Sequence, residues 1–232
     1  VVKINQNGQL IWKKEYTDAG HNFGNSILEL DDGYLLCGVN NDDSFLVKVN
    51  KENGDILFSK TYDNGGSDAF EQLLLIDNQI FAVGDVIGPP WLAHVSSTEG
   101  LYVVEHIAKL NPKQIDYDCV PACTYSKPEI GSIGLSQKIL DERGIDYKVA
   151  KSFFNANGKA VASSSTEGFI KILVSNDNRI LGAHIIGSNA TEMISEFSLA
   201  MRNNLSVENI LDSIHPHPTF SEAIFETLMH LK

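Results

Sequence analysis

The hydrophobic period of this chain changes once, near residue 80, and no single regular architecture satisfies both halves. Before that point, short apolar runs alternate with Asn, Asp and Gly turns. Runs such as Leu10–Tyr16, Tyr34–Gly38, Phe45–Asn50, Asp55–Tyr62, Gln72–Asn78 and Ile80–Asp85 have the length and punctuation of short antiparallel strands. Gly8 and Gly54 fall where hairpin turns need a positive φ. No helical period is sustained there, so residues 1–79 read as all-β.

That half also repeats itself. Lys3-Ile4-Asn5 corresponds to Lys48-Val49-Asn50 at an offset of 45, and Trp12, Tyr16, Leu30-Asp31 and Gly38 correspond to Phe58, Tyr62, Ile76-Asp77 and Gly84 at an offset of 46. A unit of that length holds about four strands, the content of one β-propeller blade. The units resemble bacterial propeller-type repeats, although two blades cannot close a ring of typically four to eight. Trp12 and Tyr16 are expected in blade packing, and the Asp31-Asp32 and Asp42-Asp43 turns as solvated loops, because neither has an EF-hand frame. No metal site is expected, and the partner of residues 1–79 is unknown.

Beyond residue 85 the helical period takes over. The pattern predicts helices at 92–109, after Ser136, at 190–203, at 206–212 and at 220–231, with strands near 146–154, 167–174 and 179–187. The turn Asn176-Asp177-Asn178-Arg179 makes the last two strands a hairpin. The expected architecture is an α+β domain with a mixed, mostly antiparallel sheet and helices, preceded by the all-β propeller-like repeats.

Eighteen basic against thirty acidic residues give a net charge of −12, shared by both halves. Such a surface argues against nucleic-acid binding, which needs clustered Lys and Arg. No apolar run approaches the ~20 residues of a membrane-spanning helix. Three cysteines, Cys37, Cys119 and Cys123, suit a reducing compartment, here taken as cytoplasmic, where the sequons at Asn189 and Asn204 carry no weight. The chain opens at Val1 without a leader pattern and reads as part of something longer.

Chemistry concentrates in His215-Pro216-His217-Pro218-Thr219-Phe220-Ser221-Glu222. Prolines stiffen the backbone before a helix, which lets an imidazole be aimed without a large ordering cost. A carboxylate five residues after His217 can orient that ring, the layout of a His–Glu general acid/base pair. The same residues also read as a capping box, Thr219-x-x-Glu222, with Glu222 serving only helix N–H groups.

This stretch resembles the C-terminal signature of the dihydrolipoamide dehydrogenases, flavin-dependent disulfide oxidoreductases. Phe81-Ala82-Val83-Gly84-Asp85-Val86 is similar to the family's flavin motif and is followed by Trp91-Leu92-Ala93-His94. Thr124–Ile130, Glu167–Lys171 and Leu181–Gly187 continue the likeness through the dimerisation domain. The resemblance covers residues 80–232 and divides the chain into repeats (1–79), a flavin-contacting segment (80–112) and a dimerisation domain (113–232). It implies that Asp85 contacts the ribityl chain of FAD, that Trp91, Leu92, Ala93 and His94 bring a helix N-terminus to the flavin, and that His217 is the acid/base with Glu222 orienting it. His215 is set aside, because the family motif gives the role to the second histidine. The implied partners are a second copy, in a homodimer, and dihydrolipoamide or a lipoyl-bearing protein, with NAD as the other cofactor.

Two family parts are missing. There is no Cys-x-x-x-x-Cys redox pair; Cys119-x-x-x-Cys123 is expected to be two buried thiols in a strand. There is no G-x-G-x-x-G fingerprint, so the ADP-binding part of the flavin domain and the whole NAD domain are absent. The expectation is a partial dehydrogenase, inactive alone; the alternative is a non-enzymatic repeat module dimerised by a degenerate oxidoreductase domain. Residues 80–84 can close the second repeat and open the flavin motif as one strand, which predicts a hybrid chain, natural or assembled, joined there.

Overall fold

A computed structural model describes residues 1–16, 22–63, 70, 73, 75–76 and 79–232. It divides into two compact units, Val1–Ile115 and Asp116–Lys232. Among the described residues, no helix is long and apolar enough to cross a membrane.

The first unit begins with the hairpin β1 (Val2–Ile4) and β2 (Leu10–Lys13). A four-stranded antiparallel meander follows: β3 (Asn22–Leu30), β4 (Gly33–Asn40), β5 (Asp43–Val49) and β6 (Ile56–Tyr62). Alternation along the strands gives the meander two apolar faces. Leu36, Phe45, Val47 and Val49 meet Trp12 on one, while Leu35 and Cys37 meet Phe70 and Leu73 on the other. Gly38 is required where β4 passes the bulge in β3, since a Cβ there would lie 1.8 Å from the Phe23 carbonyl oxygen.

The internal repeat survives folding as an identical register. Val2, Lys3 and Ile4 pair with Lys13, Trp12 and Leu10; their counterparts Val47, Lys48 and Val49 pair with Ser59, Phe58 and Ile56. The register shift after Lys3 recurs after Lys48. Both turns are organised by an Asn side chain accepting backbone N–H groups, Asn5 in one and Asn50 in the other. Gly8 and Gly54 hold φ of 77° and 73°. Sheet pairing then shrinks to β7 (Leu75–Ile76) with β8 (Gln79–Ile80). Asp77, and most of the expected strand at 72–78, lie outside the described residues.

The expected strand through Phe81–Gly84 does not form. Gly84 takes φ 83°, and its N–H goes to a carboxylate rather than to a neighbouring strand. The chain turns through a 3-10 segment at Asp85–Ile87 and enters α1 (Ala93–Ile107), close to the expected helix.

The second unit is a five-stranded antiparallel sheet in the order β11-β12-β13-β10-β9. Its strands are β9 (Ala122–Thr124), β10 (Glu129–Gly134), β11 (Tyr147–Phe153), β12 (Phe169–Ser175) and β13 (Ile180–Gly187). β12 and β13 form the expected hairpin, with Asn178 at φ 60° in the turn. The connecting helices are α2 (Gln137–Glu142), capped by Ser136, and α3 (Gly158–Ala162), capped by Asn157. One sheet face carries Ile170, Ile172, Val174, Ala183, Ile185 and Ile133 and is buried beneath three helices, α4 (Ala190–Arg202), α5 (Val207–Leu211) and α6 (Glu222–Met229). Gly131 lets α4 close on β10, because a Cβ there would sit 2.5 Å from the Ala190 carbonyl oxygen.

Phe197 of α4 is fully buried in this core. Phe197→Ala should cost about 3–5 kcal/mol through lost burial and an unfilled cavity, read by chemical denaturation. His184, on the opposite face, approaches the Leu135 carbonyl at 3.2 Å through Nε2, and burial holds its pKa below the ordinary imidazole value. The unfolded chain therefore binds the proton first: stability is complete above about pH 6.5 and falls as pH drops below it. His184→Gln should flatten that part of the stability–pH curve.

Candidate functional site

The loop before α6 holds two histidines with opposite environments. His215 is buried, its ring 9% exposed, with Nε2 at 3.0 Å from Glu196 of α4 and its face beside Phe225. The His217 ring is 77% exposed, with Nδ1 at 2.8 Å from Glu222 Oε1. The same carboxylate accepts the Thr219 backbone N–H on Oε2, also at 2.8 Å. Glu222 therefore fulfils both readings of the sequence, one oxygen to the imidazole and the other to the backbone.

Only half of the expected capping box is present. The Thr219 hydroxyl donates to the Pro216 carbonyl at 2.7 Å instead of serving the helix, which starts three residues later than Thr219 with Ser221 before it. The Thr219 carbonyl in turn accepts the Asn157 side-chain amide at 3.1 Å. Asn157 is fully buried and also caps α3 through Ala160, so the loop is tied to a second element. These bonds fix His217 with Nδ1 facing the carboxylate and the rest of the ring toward solvent.

The Thr219 N–H, then His217, hold the Glu222 carboxyl below the usual carboxylate range. An ionised Glu222 selects the Nδ1–H form of a neutral His217, leaving Nε2 as the proton acceptor. That arrangement can take a proton from an incoming acid and stabilise the imidazolium formed.

The flavin-segment residues lie together in the other unit. Asp85 is exposed at the start of the 3-10 turn. Trp91 is exposed, Leu92 precedes the helix, and Ala93 and His94 open its first turn, which has neither an acidic residue nor a side-chain cap. The positive end of that helix suits an anionic group. Glu99 of α1 shapes the loop: its buried carboxylate accepts the Gly84 N–H at 2.6 Å. Sequence reading passed over Glu99, Glu196 and Asn157. Glu99 had one signal, its place four residues after the buried Val95 on the apolar face of α1.

The cysteine reading needs correction. Cys119 lies in a 3-10 turn rather than a strand, and Cys119 and Cys123 are half-buried rather than buried. None of the three cysteines is joined in a disulfide. Burial, with the adjacent Asp116, pushes the Cys119 thiol up to about 11, and burial raises Cys123 as well. Neither site favours the thiolate that disulfide exchange needs.

Residues 120–228 match the family described as "Pyridine nucleotide-disulphide oxidoreductase, dimerisation domain". The mixed fold of the second unit, with its antiparallel sheet, fits that domain. The chain is 47% identical over 148 residues to mitochondrial dihydrolipoyl dehydrogenase of Caenorhabditis elegans, covering 63% of this chain and 30% of that protein. It is 42% identical over 182 residues to dihydrolipoyl dehydrogenase of Bacillus subtilis, covering 78% and 38%. The chain thus spans little more than a third of such relatives at most. Among solved structures, LpdA of Mycobacterium tuberculosis aligns with a TM-score of 0.64 at 20% identity, covering 91% of this chain and 48% of that one, a likeness of fold.

Two outcomes test this geometry. Imidazole ¹⁵N shifts should report His217 mainly as the Nδ1–H tautomer, and Glu222→Ala should return it to the Nε2–H form usual in free imidazoles. Site-resolved alkylation of Cys119 should keep accelerating with pH up to about 11, whereas an ordinary thiol levels off near 9.

Proposed function

We propose that residues 80–232 supply the flavin edge, the acid/base pair and the dimer interface of a dihydrolipoamide dehydrogenase-type enzyme. The observation that carries this is the 2.8 Å His217–Glu222 pair with the remainder of the imidazole open. His217 accepts the thiol proton of dihydrolipoamide, free or on a lipoyl-bearing protein, at Nε2. Glu222 holds Nδ1–H and offsets the charge of the imidazolium, while the Thr219 N–H keeps Glu222 ionised and in place. A pair this exposed suits presentation to the active site of a second subunit, and Ile214, 97% exposed just before His215, is an apolar side chain for that subunit to cover.

The chain fits FAD only in part. Asp85 can meet the ribityl hydroxyls, and Trp91, Leu92, Ala93 and His94 can bring the α1 N-terminus to the ring. Every sheet among the described residues is antiparallel, so neither the adenosine half of FAD nor NAD finds the parallel strand–turn–helix cradle such groups use. No redox step is therefore routed through this chain by itself, and in our reading it is inactive alone.

Residues 1–79 are in our reading propeller-type repeats, supported by the duplicated hairpin register. The meander β3–β6 corresponds to one blade, with β1–β2 ending the blade before it and β7–β8 beginning the next. The lack of a Cys-x-x-x-x-Cys pair and of a G-x-G-x-x-G fingerprint in this sequence favours a second reading, a non-enzymatic module dimerised by the oxidoreductase domain. Three cysteines outside any disulfide suit the cytoplasm.

The test pairs this chain with a dihydrolipoyl dehydrogenase whose own acid/base histidine has been replaced. Mixed dimers should recover dihydrolipoamide oxidation by about 10²–10⁴-fold. With His217→Gln that recovery should vanish; equal recovery from the variant would overturn the assignment. Separately, the purified chain should lose added FAD on dialysis.

A further inference from the structure

Residues 212–218 run over the surface between α5 and α6, and every side chain among them but one is exposed. The exception is His215, whose ring is 9% exposed and whose Nε2–H donates to Glu196 Oε1 at 3.0 Å. Glu196 belongs to α4, the helix that carries the fully buried Phe197 into the core of the second unit. The loop is therefore pinned to a rigid element at one point, two residues before the exposed imidazole of His217.

The prolines make that point decisive. Pro216 has its φ fixed by the ring, and a residue before proline is confined to extended backbone, which applies to both His215 and His217. Few soft dihedrals remain between the two histidines. The place where His215 is anchored thus sets the direction in which His217 leaves the chain, and from there its Nδ1 meets Glu222 of α6 at 2.8 Å. Two imidazole–carboxylate pairs clamp one short loop between α4 and α6.

Packing alone does not account for an imidazole at position 215. Its Nδ1 is buried and has no hydrogen-bonding partner among the described residues, and enclosing an unsatisfied polar atom costs stability. An apolar ring beside Phe225 would avoid that cost. What an apolar ring lacks is the Nε2–H that reaches Glu196.

We propose that His215, through Glu196, is the positioning residue for His217. It holds the loop so that His217 Nδ1 stays against Glu222 and Nε2 stays turned to the dihydrolipoamide thiol, a role that rests on the acid/base reading of His217. In this role His215 contacts no reacting atom and acts through the backbone of Pro216. The two rings carry their protons on opposite nitrogens, Nε2 in His215 and Nδ1 in His217.

The test compares His215→Gln, His215→Phe and Glu196→Leu in the full chain. Gln places an amide N–H where the Nε2–H stood and keeps the tie, whereas Phe fills the site without it. Glu196 lines a cleft with its side chain 32% exposed, so Leu removes the tie from the other side without opening the core. All three should keep the wild-type circular dichroism. Imidazole ¹⁵N shifts should show His217 mainly as Nδ1–H in the wild type and in His215→Gln, and displaced toward Nε2–H in the other two. In mixed dimers with the dehydrogenase that lacks its own histidine, those two should lower kcat about ten- to a hundredfold with KM for dihydrolipoamide unchanged. His215→Gln should retain most of the wild-type rate. A purely structural His215 would lower stability and leave the His217 tautomer and kcat as they are; that result in either folded variant overturns the proposal. Failure of the acid/base reading shows differently, as full recovery from His217→Gln, and the tautomer comparison stands without it.

Discussion

The Glu222 carboxylate links two tasks in one pair of oxygens. A charge-assisted bond to an imidazole and another to a backbone N–H are each stronger than neutral hydrogen bonds, and here each keeps the other in register. With Glu222 held below the usual carboxylate range, its stabilising contribution is present above that range and fades as pH falls through the depressed value. The loop is secured from the opposite side by Asn157, whose amide spans α3 and the Thr219 carbonyl. An exposed histidine is thereby given a defined direction, which exposure alone would deny it.

The histidine two positions earlier shows how much local context decides. His215 also faces a carboxylate at hydrogen-bonding distance, yet its ring is packed beside Phe225. Exposure alone separates a side chain that can exchange protons with a partner molecule from one enclosed by its own fold. Sequence supplies the two imidazoles and their prolines; the difference in burial comes from α4, about twenty residues upstream.

Much of this architecture was legible before folding. The turn glycines Gly8 and Gly54 anticipated two hairpins, the turn residues at 176–179 anticipated the β12–β13 hairpin, and Ser136 anticipated the start of α2; the repeat offset pointed to duplicated units, whose shared register and bulge only the structure revealed. These features rest on local chemistry: positive-φ glycines, Asn side chains turned back on their own backbone, and helix caps. The misreadings share a long-range cause. The strand drawn through Phe81–Gly84 failed because Glu99, fifteen residues later, claims the Gly84 N–H. Asn157 and Glu196 looked like ordinary polar residues because their partners lie 62 and 19 positions away. In the candidate site, the pairing of His217 with Glu222 was readable because only five positions separate the loop histidine from the first residue of α6. The dual use of Glu222 was not, since the capping and catalytic readings looked like alternatives.

The Gly84 turn is held from two directions. Its N–H runs forward to Glu99, and the bonds from Ile87 N–H to Gly84 and from Gly88 N–H to Asp85 close it on itself. Val86, inside the same turn, packs back on the cluster of Leu35, Cys37, Phe70 and Leu73. The short segment that carries Asp85 is therefore a keystone between the strands before it and the helix after it, and a loss of packing on either side would be felt at the same few residues.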